Sequence, residues 1–209
     1  MLHRTRPVVV PTIIAAAAAL LFAGCGTDSD DSPGDDKGST SRTSPATLSV
    51  CTSVPFEPAE YEEDGTLVGY DIDVMNAIGE QLKRDVTFQT VDFDTILDAL
   101  DKGTCDAAIS SMAITPEREA KATFVPYLSG TKEDPSKPEG PDREVPDPDA
   151  PPLGIAVRSD DDALRVDIEQ AVAAMYEDGK MRALLEQWDA TSFLLDPAPA
   201  AGASESEAA

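Results

Sequence analysis

The segment TCDAAISSMAITPER, residues 104–118, is the most informative part of this chain for its fold. Its first part, from Cys105 to Ser110, is a short apolar run typical of a buried β-strand. This strand is expected to end in a turn rich in hydroxyl groups, and Arg118 follows a few residues later. Backbone N–H groups and hydroxyls on one side and a planar guanidinium on the other favour a site for a small anion.

On both sides of this stretch, strand patterns alternate with helix patterns. Strands are predicted over 48–52, 86–91, 105–110, 122–127 and 154–158, and helices over 71–83, 93–100, 115–120, 161–178 and 179–188. Asp71 is expected to be the N-cap of its helix, and Asp73 a surface residue. The alternation predicts an α/β fold with a mixed, mostly parallel sheet and helices on both faces. In such sheets, ligands bind beyond the carboxyl ends of the strands.

The N-terminal segment is expected to be a targeting signal. Arg4 and Arg6 precede an apolar run over 8–22, and small residues then lead to Cys25. This layout resembles a bacterial lipobox, so residues 1–24 are predicted to be a lipoprotein signal peptide and Cys25 to be lipidated. The alternative is an ordinary signal peptide in which Cys25 has no role. Residues 25–47 are polar and are predicted to be a disordered tether.

Charge and residue usage exclude several classes of function. The chain carries a net charge of −24, and removal of the signal leaves 14 basic against 40 acidic residues, a net charge of −26. Such a surface repels nucleic acid and anionic lipid headgroups. The sole histidine, His3, lies in the signal. With no nucleophile–base pair evident, we expect no enzyme activity, no metal site and no cofactor.

With Cys25 assigned to the lipid, Cys51 and Cys105 are the remaining cysteines, and they are candidates for a disulfide. Their strands should be neighbours in the sheet. However, Cys51 lies late in its strand and Cys105 precedes its own, and parallel register could hold them too far apart. The sequence therefore leaves both states of this pair open.

Residues 129–152 contain seven prolines, several acids and few apolar side chains, and they are predicted to be a disordered linker. The tail over 196–209 is predicted to be disordered for the same reason. The ordered part then comprises 48–128 and 153–195, which together are enough for one modest core.

Three motifs together resemble the polar amino-acid (family 3) extracellular solute-binding proteins of ABC importers. They are GTLVGYDIDV over 65–74, the stretch 106–118 and FVPY over 124–127. GIAVR over 154–158 and the segment 177–188 resemble the closing part of the same family. The resemblance implies a periplasmic-binding-protein type II fold of two lobes, in which the second lobe is inserted in the middle of the chain. Here only 26 residues, 128–153, stand where that lobe would be, so a single lobe is expected.

The resemblance also implies the residues of a ligand site in the first lobe. Arg118 would pair with a ligand α-carboxylate, Phe56 would supply an aromatic wall, and the Ala113 backbone would donate a hydrogen bond. Ser53 stands where many members have an aspartate, which argues against a basic side chain on the ligand. The full set of expected ligand-binding residues is Ser53, Phe56, Ser110, Ser111, Ala113 and Arg118.

Two functions follow from this sequence. The first is a lipoprotein on the outer face of the bacterial cell membrane that binds a small polar amino acid or a similar carboxylate weakly and serves an ABC transporter permease. Binding is expected to be weak because no counter-charge for the ligand ammonium is recognisable in the chain. The second is a membrane-tethered interaction module with no small-molecule ligand.

Overall fold

A five-stranded mixed β-sheet forms the centre of the fold. The structure is a computed structural model, which describes residues 47–136 and 144–199. The strands in chain order are β1 (Leu48–Thr52), β2 (Tyr61–Glu63), β3 (Thr66–Val68), β4 (Val86–Thr90), β5 (Ala107–Ala108), β6 (Thr123–Leu128), β7 (Thr131–Glu133), β8 (Glu144–Pro146) and β9 (Leu153–Val157). The α-helices are α1 (Tyr70–Leu82), α2 (Ile96–Asp101), α3 (Pro116–Glu119), α4 (Asp162–Glu177) and α5 (Lys180–Glu186), and short 3₁₀ turns cover Phe93–Thr95 and Thr191–Phe193.

The main sheet has the strand order β4-β1-β5-β9-β6. Strand β1 pairs in parallel with β4 and β5, so that Cys51 lies opposite both Gln89 and Ala108. Strand β9 runs antiparallel to β5 and β6. Four strands therefore point one way and β9 points the other, which confirms the predicted mixed, mostly parallel sheet. Since β9 follows the proline-rich bridge and inserts between β5 and β6, both parts of the chain build one sheet.

Successive residues of each strand point to opposite sides of the sheet. Helices cover both of these sides. On one face, Val50 and Ala107 belong to a core shared with α1, α4 and α5. On the other face, Cys51 and Ala108 pack with α2. The residues of β9 are divided in the same way. Leu153, Ile155 and Val157 belong to the first core, and Ala156 belongs to the second. The central strands β1, β5 and β9 are therefore buried almost throughout, as their apolar sequences predict, while the edge strand β4 is partly exposed.

Helix α1 begins one residue before the position expected from Asp71. Gly69 precedes the helix at φ 130°, and a Cβ atom there would lie 2.1 Å from the carbonyl oxygen of Ala59. The Asp71 N–H donates to this carbonyl, 3.0 Å away. The backbone before β2 therefore satisfies the helix N-terminus in place of a capping side chain. The prediction of Asp71 as N-cap was wrong, and its carboxylate is buried in the interior.

Strand β5 is shorter than the predicted strand over 105–110. It has two residues, because the chain turns at both ends. Before it, Asp106 is held against β1 by a hydrogen bond from its N–H to the Ser49 oxygen, 2.8 Å away. After it, Ser111 adopts φ 43°. Since Cys105 lies in the loop before β5, strand register does not set its position, and Cys51 and Cys105 form a disulfide with their Cα atoms 5.7 Å apart.

The bridge over 129–152 differs from the predicted disordered linker in its described parts. Strands β7 and β8 pair antiparallel within it, with Lys132 opposite Val145. We call these six residues the ribbon. Lys132 forms an ion pair with Asp147 at 3.3 Å, and the Asp147 N–H donates to the Gly130 oxygen at 2.7 Å. Prolines do not prevent this pairing because Pro146 stands at the end of an edge strand, where no ladder N–H is needed.

Several predictions concern residues outside the described ranges. These are the signal peptide over 1–24, the lipidation of Cys25, the tether over 25–47 apart from residue 47, and the tail beyond 199. Among the residues that the structure does describe, no helix has the length and apolar character needed to cross a bilayer.

Candidate functional site

A cavity of about 420 Å³ opens beyond the carboxyl ends of β1 and β5. All six residues expected at a ligand site lie in its wall, although they come from two separate stretches of the chain, 53–56 and 110–118. The wall consists of Ser53, Val54, Pro55, Phe56, Phe93, Ser110, Ser111, Ala113, Arg118, Thr131, Glu144 and Leu153. This position agrees with the general rule for ligand sites of α/β sheets.

Arg118 supplies positive charge to this cavity. It lies on α3, a single turn that begins with Pro116 at its first position and is capped by the Thr115 hydroxyl. The guanidinium donates from Nη1 to the Ala113 carbonyl oxygen at 2.7 Å and lies 5.2 Å from the centroid of the Phe93 ring. Over 47–136 and 144–199, the structure places no carboxylate in an ion pair with it. The side chain is thus held in place while its charge stays available to a bound anion.

The turn after β5 directs most of its polar groups inward. The Ser110 hydroxyl donates to the Glu60 carboxyl group. The Ser111 N–H and hydroxyl lie 2.7 and 3.2 Å from Oδ2 of Asp71. Ser110 and Ser111 therefore line the cavity but are already bonded to buried acids. In contrast, the Ala113 N–H has no partner in the described part of the chain, which leaves it as a backbone donor for a ligand.

Glu60 and Asp71 form a buried acid pair beneath this turn, and both side chains are fully excluded from solvent. Burial raises the pKa of Glu60 far above the usual 4.5, and the negative charge of Asp71 adds to this shift. Burial also raises the pKa of Asp71, although hydrogen bonds from Tyr127, Glu60 and Ser111 oppose the increase. Glu60 therefore carries the proton and Asp71 the charge.

The geometry accounts for this proton. Oε2 of Glu60 receives no hydrogen bond from any donor among the described residues. Interaction between the two carboxyl groups lowers the pKa of Asp71 and raises that of Glu60, which makes the protonated Glu60 the donor of the pair. The phenol of Tyr127 donates to the other Asp71 oxygen, Oδ1. Asp71 is thus surrounded by donors, and the acid pair fixes the turn that carries Ser110 and Ser111.

The ribbon contributes part of the cavity wall, and the sequence analysis did not predict this contribution. Thr131 and Glu144 both line it, and the Thr131 hydroxyl donates to Oε2 of Glu144. Glu144 thus places a carboxylate in the cavity wall, whereas the sequence analysis recognised no counter-charge for a ligand ammonium. No sequence pattern distinguishes Glu144, because it is one of many acids in a proline-rich segment.

Residues 48–191, more than half of the chain, match the family model of bacterial extracellular solute-binding proteins, family 3. The chain belongs to this family. As a family 3 solute-binding protein it is a binding protein and not an enzyme, in agreement with the sequence analysis.

Curated relatives of this family 3 protein are much longer than the regions that match. The arginine-binding extracellular protein ArtP of Bacillus subtilis (strain 168) is 27% identical over 112 residues, which are 54% of this chain and 40% of ArtP. The arginine-binding periplasmic protein of Mannheimia haemolytica is 39% identical over 75 residues, or 35% of this chain and 31% of that protein. The aligned part thus spans well under half the length of each relative.

A solved structure of a single domain is also similar. The arginine-bound form of domain 1 from TmArgBP superposes with a TM-score of 0.51 and 28% sequence identity. The match covers 61% of this chain and 91% of that domain. This family 3 protein therefore resembles an isolated domain as well as the longer relatives.

Proposed function

We propose that this family 3 protein is a solute-binding lipoprotein that holds the carboxylate of a small amino acid, weakly, in the cavity at Arg118. The observation that carries the proposal is the guanidinium of Arg118, which has no carboxylate partner among the described residues and is oriented by Ala113 and Phe93 in the wall of a 420 Å³ cavity. A planar guanidinium matches the two oxygens of a carboxylate and binds it with paired hydrogen bonds. The Ala113 N–H adds a backbone donor in the same wall.

The comparisons support this ligand class. The curated relatives are named as arginine-binding proteins, and domain 1 of TmArgBP is described in an arginine-bound form. That last structure is a precedent for a ligand held by one domain. Ser53 and Phe56 offer no charge to a basic ligand side chain, so we do not carry the preference for arginine over to this chain. We propose an α-amino acid without restricting its side chain.

Binding is expected to be weak because the cavity is open. With the ribbon standing in place of a whole second lobe, water competes for the same donors and weakens each electrostatic contact. We expect a dissociation constant on the order of 1 mM, which corresponds to about −4 kcal/mol, against about −8 kcal/mol for a micromolar site.

Replacement of Arg118 with alanine is expected to weaken amino-acid binding at least about tenfold, because the ligand carboxylate loses its charged partner. NMR titration of the wild type and the Arg118→Ala variant with L-glutamine and L-arginine measures the change. Arg182→Ala is the matched control, since it removes an exposed arginine on α5 that does not line the cavity.

Equal affinity of the wild type and Arg118→Ala would refute the carboxylate site. Absence of binding by the wild type to any proteinogenic amino acid would favour the alternative, a membrane-tethered interaction module without a small-molecule ligand. A sub-micromolar constant for the wild type would show that another surface replaces the second lobe.

We also propose that Cys25 carries the lipid that anchors the protein outside the cell membrane, where a permease of an ABC transporter is the expected partner. The Cys25→Ala variant is expected to lose labelling by a fatty-acid analogue and to leave the membrane fraction. Retention of the label in this variant would exclude Cys25 as the modified residue. The Cys51→Ala/Cys105→Ala variant, which keeps Cys25, should remain labelled.

A further inference from the structure

We propose that Glu144 on the ribbon receives the ammonium group of the bound ligand, so that the site selects free α-amino acids over other small carboxylates. This inference rests on the proposed function. It also gives the ribbon a role, since these residues stand where the family would have a second lobe.

The first support is the position of Glu144. It lines the same 420 Å³ cavity as Arg118, on a wall built by a different part of the chain. Its Oε2 atom accepts the hydrogen bond from Thr131, which orients the carboxylate. Within 47–136 and 144–199, no lysine or arginine is paired with Glu144. The nearby Lys132 is engaged by Asp147 at 3.3 Å.

The second support is that Glu144 borders the same cavity as the turn after β5. Ser111 and Ala113, which belong to this turn, line the cavity together with Glu144 and Arg118. The negative charge of Glu144 also adds to the raised pKa of the Tyr70 phenol, after the larger effects of burial, Asp71 and Glu60. Glu144 is therefore placed to meet a second group of a ligand whose carboxylate binds at Arg118.

The third support is that the ribbon is attached to the rest of the lobe at both of its ends. The Ser129 N–H donates to the Phe193 oxygen at 2.7 Å just before the ribbon begins. Gly130 follows, where a Cβ atom would lie 2.3 Å from the Pro151 oxygen. These close contacts at both ends of the bridge hold β7 and β8 against the lobe.

The chemistry of the two walls then specifies the ligand. The carboxylate and ammonium of an α-amino acid are attached to the same carbon, so they need an anion site and a cation site next to each other. Arg118 and Glu144 supply these two charges in one cavity. A carboxylate without an ammonium group would be repelled by Glu144 and gain nothing in return.

The test compares L-glutamine, whose only cation is its ammonium group, with N-acetyl-L-glutamine, which has none. In NMR titrations the wild type is expected to bind L-glutamine roughly tenfold more tightly than the acetylated probe. Glu144→Gln is expected to abolish this preference by weakening L-glutamine binding while leaving the acetylated probe unchanged or slightly tighter. Thr131→Val should reduce the preference partially, because the carboxylate loses its orienting hydrogen bond.

Glu133→Gln is the matched control. Glu133 lies directly opposite Glu144 in the ribbon, but it does not line the cavity. It should keep the preference of the wild type. A preference that survives in Glu144→Gln would overturn the inference and leave the Arg118 site intact. Failure of the wild type to bind any proteinogenic amino acid would instead overturn the proposed function and this inference with it.

Discussion

Replacement of both Cys51 and Cys105 with alanine is expected to lower the free energy of unfolding by about 4 kcal/mol. The disulfide joins residues 54 positions apart, and closing a loop of this length restricts the unfolded chain by about that amount. Both side chains are buried in the core under α2, so alanine is preferred to serine, which would bury a hydroxyl without a partner. Urea unfolding followed by circular dichroism measures the change.

Reduction of the wild type provides the control for this prediction. In the presence of dithiothreitol, the unfolding midpoint of the wild type should approach that of the double variant, and the double variant itself should not respond. A midpoint of the wild type that is independent of dithiothreitol would show that the two cysteines are not joined in solution. A disulfide is also consistent with an oxidising location outside the cell.

Replacement of Glu60 with glutamine is expected to stabilise the protein increasingly as the pH rises. The pKa of Glu60 in the folded state is raised above the value of 4.5, so the folded protein holds a proton that the unfolded chain releases above this pH. The contribution of Glu60 to wild-type stability is therefore fully present below about pH 4.5 and falls as the pH rises, by up to about 1.4 kcal/mol per pH unit for one proton. Glutamine can still donate to Asp71 and accept from Ser110, but it does not titrate.

The measurement is the difference in free energy of unfolding between Glu60→Gln and the wild type at several pH values. Between about pH 5 and pH 7 this difference should grow by up to about 3 kcal/mol in favour of the variant. Glu63→Gln, which alters an exposed acid of β2, should give a profile parallel to the wild type. A parallel profile for Glu60→Gln as well would mean that Glu60 does not carry the proton.

The acid pair shows why part of the site could not be predicted from the sequence. Glu60 lies among Glu57, Glu62, Glu63 and Asp64, and no pattern separates the buried acid from its exposed neighbours. Its burial results from the close approach of the chain before β2 to the start of α1, which Gly69 permits. The pairing with Asp71 then follows from tertiary packing and not from any local preference.

The long elements were predictable because their sequences combine strong periodicity with clear ends. The helix predicted over 161–178 is found at Asp162–Glu177 with Asp161 as its N-cap, and the strand predicted over 48–52 is found with the same bounds. The strand predicted over 105–110 was wrong in length, since turns and the disulfide loop determine where β5 begins and ends. The ribbon was missed because its pairing depends on anchoring at Gly130 and Asp147 and not on apolar content.

The α/β class, the family and six of the residues in the cavity wall could be recognised from the sequence alone, because each of these depends on local patterns and motifs along the chain. Tertiary structure decided which groups at the site remain available. It engages the Ser110 and Ser111 hydroxyls with buried acids, leaves the Ala113 N–H without a described partner and brings Glu144 to the cavity that contains Arg118. These outcomes depend on distances between segments far apart in the chain, and such distances are set only when the sheet, the helices and the ribbon pack together.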